Sequence, residues 1–323
     1  MVNTTHSSLR VLILAGGDGR RLGALTIDGD GVSTPKQYCS LSGGDSLLQV
    51  TLKRALELVP REHILVVVSE QHRRWWECQL SGLPASNVIV QPCNRGTGIG
   101  VLLPLLVLEK HVPNGTVVCL PSDHYIADEE VLVRSLRQAA ELPAVDCAKL
   151  TLLGIQPSAV DSGLGYMTFD PGSQGDVRQL LHFTEKPDRA HAARLIEQGS
   201  VWNSAILVGP LRAALYLYAR HAPGLLGRLR PIVQASSLSQ IPSPELIAFY
   251  EQHTDTDFSR DILQKQPARL QALMVPPCGW NDIGTPARLL TTLRTLKPQM
   301  GGSLDASAAD SRFLNLSRTM TMT

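Results

Sequence analysis

The sequence predicts an α/β fold with a mixed, mainly parallel central sheet flanked by helices. Three features carry this prediction. Short β-branched apolar runs recur at residues 11–15, 64–69, 88–91 and 117–120, and runs of that length and composition read as buried strands. Longer amphipathic stretches, residues 47–58 and 131–141, read as helices between them. Strand and helix in alternation imply parallel strands, because only a long crossover returns a chain to a parallel neighbour. The carboxyl ends of such strands share one edge, where ligands of open α/β sheets bind.

Past residue 150 the texture changes. A strand at 149–155 precedes a Gly-rich segment at 163–169, a strand ending in Glu185-Lys186-Pro187, a helix at 189–198 and a strand at 205–208. Residues 211–266 read as helix-rich and broken by Pro223, Pro231, Pro242 and Pro244, before a last strand at 270–275. This pattern predicts insertions on the same sheet rather than a separate second domain. No internal repeat and no second catalytic module are expected.

The chain has 323 residues, 43% of them hydrophobic, with 30 basic and 29 acidic side chains. Such a balance leaves no net field to draw the whole chain to nucleic acid or membrane, so any phosphate site must be local. Cys39, Cys78, Cys93, Cys119, Cys147 and Cys278 are scattered, against both a zinc knuckle and a disulfide framework. The polar start lacks the layout of a signal peptide, and the apolar run at 101–108 is far short of the roughly 20 residues a membrane helix needs. A cytoplasmic protein is expected.

The first strand runs directly into Gly16, Gly17 and Gly19. Glycine tolerates positive φ and lets backbone N–H groups approach anionic oxygens, so this pattern suits a phosphate cradle; a tight turn shares it. Neither the third glycine of a dinucleotide fingerprint nor the lysine of a P-loop follows. Arg20-Arg21-Leu22 follows instead, and a guanidinium offers phosphate a fork of donors whose charge is permanent. Downstream, Lys36 stands after Pro35, beyond a linker, Asp28-Gly29-Asp30-Gly31, that reads as flexible. A mobile, basic lid over a triphosphate is the expected arrangement.

Seven segments stand in a fixed order: residues 14–22 with Pro35-Lys36; Gln91-Pro92-Cys93-Asn94-Arg95-Gly96-Thr97; Leu120-Pro121-Ser122-Asp123-His124; Gly163-Leu164-Gly165-Tyr166; Glu185-Lys186-Pro187; Trp202-Asn203-Ser204; and Gly279-Trp280-Asn281-Asp282-Ile283-Gly284. In that order the chain resembles the mannose-1-phosphate guanylyltransferases, over about residues 10–295. The resemblance implies a Rossmann-like nucleotidyltransferase fold, Mg2+ as cofactor, GTP and mannose 1-phosphate as substrates, and GDP-mannose and pyrophosphate as products. It implies a catalytic domain over residues 1–295, with a nucleotide-binding half at about 10–150 and a sugar-phosphate-binding half at about 150–295. Residues 296–323, rich in Ser, Thr and Ala, would form a flexible tail. The isomerase or β-helix extension of some relatives is not expected.

Residue by residue, the resemblance makes Arg21, rather than Arg20, the arginine that stabilises charge on the triphosphate, with Lys36 acting from the facing segment. Leu14, Ala15, Gly16, Gly17, Gly19 and Ser122 would line the nucleotide site, and Gln91, Asn94, Gly96 and Thr97 would contact the purine. Gly165, Glu185, Lys186 and Asn203 would bind the sugar phosphate. Asp123 and Asp282 would hold Mg2+, their oxygen chemistry suiting a hard cation; as plain structure, Asp123 would cap a helix and Asp282 an Asx-turn. Glu185-Lys186 also reads as an ordinary surface pair, and Trp202 as a core aromatic. Gly98-Ile99-Gly100 stands where the family commonly has Ala-Pro-Ala. Glycine costs roughly 0.8–1 kcal/mol relative to alanine inside a helix, so the helix is expected to start later. Leu164 and Gly23-Ala24 also depart from the family's pattern, at the substrate-facing rim.

Two other readings stay open: the same chemistry on another hexose 1-phosphate or nucleotide, and a paralogue that binds nucleotide sugar without turnover. A homodimer is the default assembly for a soluble enzyme.

Overall fold

The structure, a computed structural model, describes residues 8–27, 31–142, 146, 148–236 and 242–296. The expected flexible linker at 28–30, Cys147 and the tail beyond residue 296 lie outside the described residues.

Nine strands form one sheet among the described residues: β1 (Leu9–Leu14), β2 (Ile64–Ser69), β3 (Val88–Gln91), β4 (Thr116–Pro121), β5 (Leu150–Ile155), β6 (Gly165–Phe169), β7 (Val177–Glu185), β8 (Val201–Pro210) and β9 (Leu270–Met274). The helices are α1 (Leu47–Leu56), α2 (Arg73–Gln79), α3 (Gly96–His111), α4 (Glu129–Glu141), α5 (Arg189–Glu197), α6 (Leu211–His221), α7 (Pro223–Ala235), α8 (Pro244–Gln252), α9 (Phe258–Asp261) and α10 (Pro286–Leu296). The strand order is β3-β2-β1-β4-β8-β5-β9-β7-β6, and β6 also pairs back onto β8. The first four strands are mutually parallel, as is β5 with β9. The pairs made by β8 and β7 are antiparallel. The sheet is therefore mixed, parallel through its first half and curling back on itself in the second.

Each central strand is apolar on both faces, as parallel strands covered by crossover helices must be. In β1, Val11 and Ile13 pack with Leu48 of α1, Trp76 of α2 and Leu132 and Leu136 of α4. Leu12 faces the opposite layer, with Leu102 and Leu106 of α3 and Leu217 of α6. Two helices on the first face are capped locally: Ser46 and Gln49 form a capping box on α1, and Asp128 caps α4.

Three local expectations change. The Gly-rich segment contains strand β6, and β8 is longer than its β-branched centre, so Trp202, Asn203 and Ser204 lie on a strand. Helix α3 begins at Gly96, ahead of Gly98-Ile99-Gly100 rather than after it. The Gly98 N–H donates to the Thr256 carbonyl at 2.7 Å, the Tyr218 hydroxyl donates to the Gly98 carbonyl at 2.7 Å, and Asn94 Oδ1 accepts from Gly96 N–H at 2.9 Å. Those bonds, two of them tertiary, outweigh a glycine penalty of about 1 kcal/mol per residue. Pro231 lies inside α7, while Pro223 and Pro244 open helices. The residue four before Pro231 is Gly227, as Gly100 is four before Pro104 in α3. Glycine is the backbone best able to yield where the proline ring meets that carbonyl. No helix among the described residues is long and apolar enough to cross a membrane.

Candidate active site

Strands β1 and β4 are adjacent, with Leu14 opposite Pro121, so the loops that follow them leave the sheet edge side by side. Ser122 stitches them together: its N–H and its hydroxyl both donate to the Leu14 carbonyl, at 3.1 and 2.7 Å. The carbonyl edge of the glycine loop is held inward. Gln37 Nε2 donates to the carbonyls of Ala15 (3.0 Å) and Gly17 (2.7 Å), and the Tyr38 hydroxyl donates to Ala15 (3.0 Å). Ala15 N–H bonds Val67, and its side chain is in the core, so Ala15 supports the loop and lines neither chamber of the cleft. Gly19 has φ +63, and a Cβ there would lie 2.8 Å from the Lys36 backbone nitrogen. Only glycine fits that crossing.

A cleft of about 590 Å³ opens at this edge, lined by Gly17, Asp18, Gly19, Arg21, Leu22, Lys36, Asn94, Arg95, Asp123, Asp255, Ile283 and Gly284. An adjoining chamber of about 300 Å³ shares Gly17, Asn94 and Asp123 and adds Leu14, Gly16, Gln91, Gly96, Thr97, Ser122 and Asn203, with Val101, Leu152, Leu207 and Phe258 as an apolar wall. Gln91 is buried between the loops. Its Oε1 accepts from the Tyr250 hydroxyl at 3.2 Å, and its Nε2 lies where a Cβ on Gly16 would be 1.9 Å away.

Lys36 does not sit on a mobile lid. Residues 34–40 are all buried, and Lys36 is 5% exposed. Its ammonium lies 2.9 Å from Asp123 Oδ2 and donates to the carbonyls of Asp282 and Ile283. Desolvation of so compact a charge demands partners of this kind, which is why the segment packs down. Burial alone would raise the Asp123 carboxyl, but Lys36 and His124 outweigh it and hold Asp123 below its usual range. Asp123 does not cap α4, a position taken by Asp128, and 36% of its side chain stays exposed toward the cleft. Beside it, burial pushes His124 down to about 4, leaving a neutral ring. The Trp280 indole N–H donates to His124 Nδ1 at 3.2 Å, which puts the ring proton on Nε2, 3.7 Å from Asp123 Oδ1.

Asp282 makes the Asx-turn: its Oδ1 accepts from Gly284 N–H at 3.1 Å. Arg288 Nε lies 3.0 Å from the same oxygen without hydrogen-bond alignment, and Arg288 Nη1 donates to Asp161 at 2.7 Å. The sugar-side residues come together through the strands, with Gly165 opposite Glu185 and Tyr166 opposite Trp202. A Cβ on Gly165 would lie 2.7 Å from Glu185 Oε2 and 3.5 Å from the Asn203 Cβ. Lys186, at φ 48, turns its ammonium onto Glu185 Oε1 at 2.6 Å. Burial raises the Glu185 carboxyl, with Lys186 opposing. Asn203 Oδ1 accepts from Ala205 N–H at 3.0 Å. Asn203 lines the smaller chamber, whereas Gly165, Glu185 and Lys186 line neither. Trp202 is 7% exposed and packs with Tyr166 and Leu195, as a core aromatic does.

Sequence reasoning passed over Asp18, Arg95, Asp255 and Arg288. Asp18 and Arg95 stand inside segments already singled out, so position was the available signal. Asp255 and Arg288 reach the site from remote helix-rich segments and leave no local trace.

The fold and the cleft define a class: an α/β protein whose glycine-lined, charge-rich cleft at the carboxyl edge of the sheet suits a polyphosphate. The chain belongs to the nucleotidyl transferase family, whose profile matches residues 10–298. It is 29% identical over 296 residues to the mannose-1-phosphate guanylyltransferase of Escherichia coli K12, a match covering 87% of this chain and 59% of that protein. It is 30% identical over 301 residues to the xanthan biosynthesis protein XanB of Xanthomonas campestris pv. campestris, covering 88% of this chain and 59% of XanB. Among solved structures it is similar to the mannose-1-phosphate geranyltransferase from Thermus thermophilus, with TM-score 0.72 and 26% identity, over 86% of this chain and 76% of that one. The chain thus spans 59% of the length of these two curated relatives.

Proposed function

We propose that this protein transfers a guanylyl group from GTP to mannose 1-phosphate, giving GDP-mannose and pyrophosphate. The observation that carries the reading is the convergence of the glycine loop, Arg21, Lys36 and Asp123 on one cleft. An oxygen of the sugar phosphate attacks the α-phosphorus of GTP. The bond from that phosphorus to the α–β bridging oxygen breaks, and pyrophosphate leaves with the electron pair. No protein nucleophile is required, so the protein contributes alignment and charge stabilisation. Gly16, Gly17 and Gly19 cradle the phosphates, and Arg21 and Lys36 stabilise charge on the α-phosphate and the leaving group. Gln91, Asn94, Gly96 and Thr97 face the base, while Gly165, Glu185, Lys186 and Asn203 receive the sugar phosphate.

Asp123, exposed to the cleft, would hold Mg2+ together with Asp282, which lines neither chamber and whose Oδ1 is engaged by Gly284 N–H beside Arg288. No cluster of three or more His, Cys, Asp or Glu that could hold a metal occurs among the described residues. Two carboxylates suit a cation that keeps waters and takes its other ligands from substrate phosphates. Arg21, Lys36 and Arg95 along the cleft are matched by Asp18, Asp123 and Asp255, so the side chains alone do not neutralise a triphosphate. Bound Mg2+ would supply that charge and polarise the phosphoryl oxygens. Lys36 would meet phosphate and Asp123 the cation, each replacing the other as partner.

The test is pyrophosphate release from GTP, mannose 1-phosphate and Mg2+ by the purified protein, beside a panel of other triphosphates and sugar phosphates. Release with the named pair at the highest kcat/KM is the expected result. A higher kcat/KM on another pair would replace the substrates and keep the chemistry. Calorimetric binding of GDP-mannose with no turnover on any pair would make the protein a binding paralogue.

A further inference from the structure

Residues 253–257 join α8 to α9 and pass over the first turn of α3. Four bonds, two from Thr256 and two from the flanking helices, tie this crossing and its ends to residues 95–98. Thr256 N–H donates to the Arg95 carbonyl at 3.2 Å, and the Thr256 carbonyl accepts from Gly98 N–H at 2.7 Å. Phe258 N–H donates to Thr97 Oγ1 at 2.9 Å, and Arg95 Nε donates to the Tyr250 carbonyl at 2.7 Å. The crossing also leaves no room for side chains beneath it. A Cβ on Gly98 would lie 2.5 Å from Thr256 Cγ2 and 2.9 Å from its carbonyl oxygen; one on Gly96, at φ +82, would lie 2.4 Å from that oxygen. Since Gly98 N–H is committed to Thr256 and Gly96 N–H to Asn94, the start of α3 is a socket for the crossing segment rather than a phosphate grip.

The segment and the start of α9 reach both sides of the cleft. Asp255 lines the larger chamber and Phe258 the smaller. Asp257 lies 3.9 Å from the Lys186 ammonium, and Gln264, just beyond α9, accepts the Glu185 N–H at 2.8 Å.

We propose that Thr256 is a positioning residue: its segment is a strap that sets the base-side loop 94–98 against the sugar-phosphate residues, and Gly96 and Gly98 are glycines because the strap occupies their side-chain space. The roles of the two sides rest on the guanylyltransferase reading; the strap itself does not. Gly98, which departs from the family pattern, is therefore one half of a matched pair whose other half, Thr256, lies some 160 residues away.

The test combines Gly98→Ala, Thr256→Gly and the double variant. Gly98→Ala should raise the KM and the calorimetric Kd for GTP about tenfold, with kcat changed less and the melting temperature little moved. Thr256→Gly in the same chain removes the side chain that the added methyl group meets and should recover at least half of that loss on a logarithmic scale. A Kd within about twofold of the unmodified protein, or a double variant no better than the single one, would overturn the proposal. If Gly98→Ala does not fold, Thr256→Gly alone decides. Amide exchange at Gly98 and Phe258 should then quicken about fivefold while β1 stays protected, and unchanged exchange overturns the strap. A protein that releases no pyrophosphate from any pair would sink the enzymatic reading and still leave Kd and amide exchange to judge the strap.

Discussion

A lysine that is 5% exposed and 2.9 Å from a carboxylate holds a charge that neither partner can lose without replacement. Breaking a buried pair costs about 3–5 kcal/mol, but Asp123 keeps 36% of its side-chain surface exposed, so Lys36→Met should destabilise by only about 1–2 kcal/mol in urea unfolding. Turnover should fall about 10²–10³-fold, the range for removing one preorganised donor. Full turnover in a folded Lys36→Met protein would reduce Lys36 to a structural partner. His72 makes a different prediction. It is 5% exposed, edge-on against the rings of both Tyr38 and Trp75, and burial lowers its pKa, with Asp18 at 4.0 Å opposing. The unfolded chain takes up a proton near pH 6.5 that the folded ring still refuses. Unfolding free energy therefore declines as pH drops below about 6.5 and until the depressed folded pKa is passed. His72→Gln should flatten that part of the profile, read from urea midpoints at a series of pH values.

At the scale of the element, the glycine loop is defined by what lies behind each glycine. Gly19 combines φ +63 with a backbone nitrogen 2.8 Å from where a Cβ would stand. Gly19→Ala should cost at least about 1–2 kcal/mol from the left-handed conformation alone and should move the Lys36 backbone, so melting temperature and kcat/KM fall together. Gly16 differs, since a Cβ there would meet only the far end of the Gln91 side chain, which can swing away. Gly16→Ala should chiefly raise the KM for the nucleotide, and Gln91→Ala should relieve it; an additive double variant would show that the two residues do not meet. Helix α3 shows how an element escapes local rules. Its glycine-rich first turn is a poor helix start by propensity, yet it is helical because Thr256 and Tyr218 bond to Gly98.

For the whole molecule, the cleft forms where the parallel half of the sheet meets the half that curls back through β6 onto β8. Residues from both halves line the same chamber. A ligand that fills such a junction binds the folded state alone, so GTP at about 100 times its Kd should raise the unfolding free energy by about 2.7 kcal/mol. The melting temperature should rise further with Mg2+, and EDTA should remove that increment; a melting temperature indifferent to Mg2+ would argue against the roles given to Asp123 and Asp282.

The parallel core was legible in the chain because its signals are local. The continuous apolar runs of β1, β2 and β4 and the glycines after β1 each depend on a few neighbouring residues. What only the tertiary structure decided depends on partners far along the chain. Lys36 is buried because Asp123, Asp282 and Ile283 surround its ammonium, the last two some 246 residues away. Helix α3 starts at Gly96 because Thr256 lies across it, and Asp255 and Arg288 reach the site from helix-rich segments with no phosphate signature. Periodicity and propensity report the energy of a residue among its neighbours in sequence. Desolvation, ion pairing and steric fit report it among its neighbours in space, and it is these that turned an expected mobile lid into a buried ion pair.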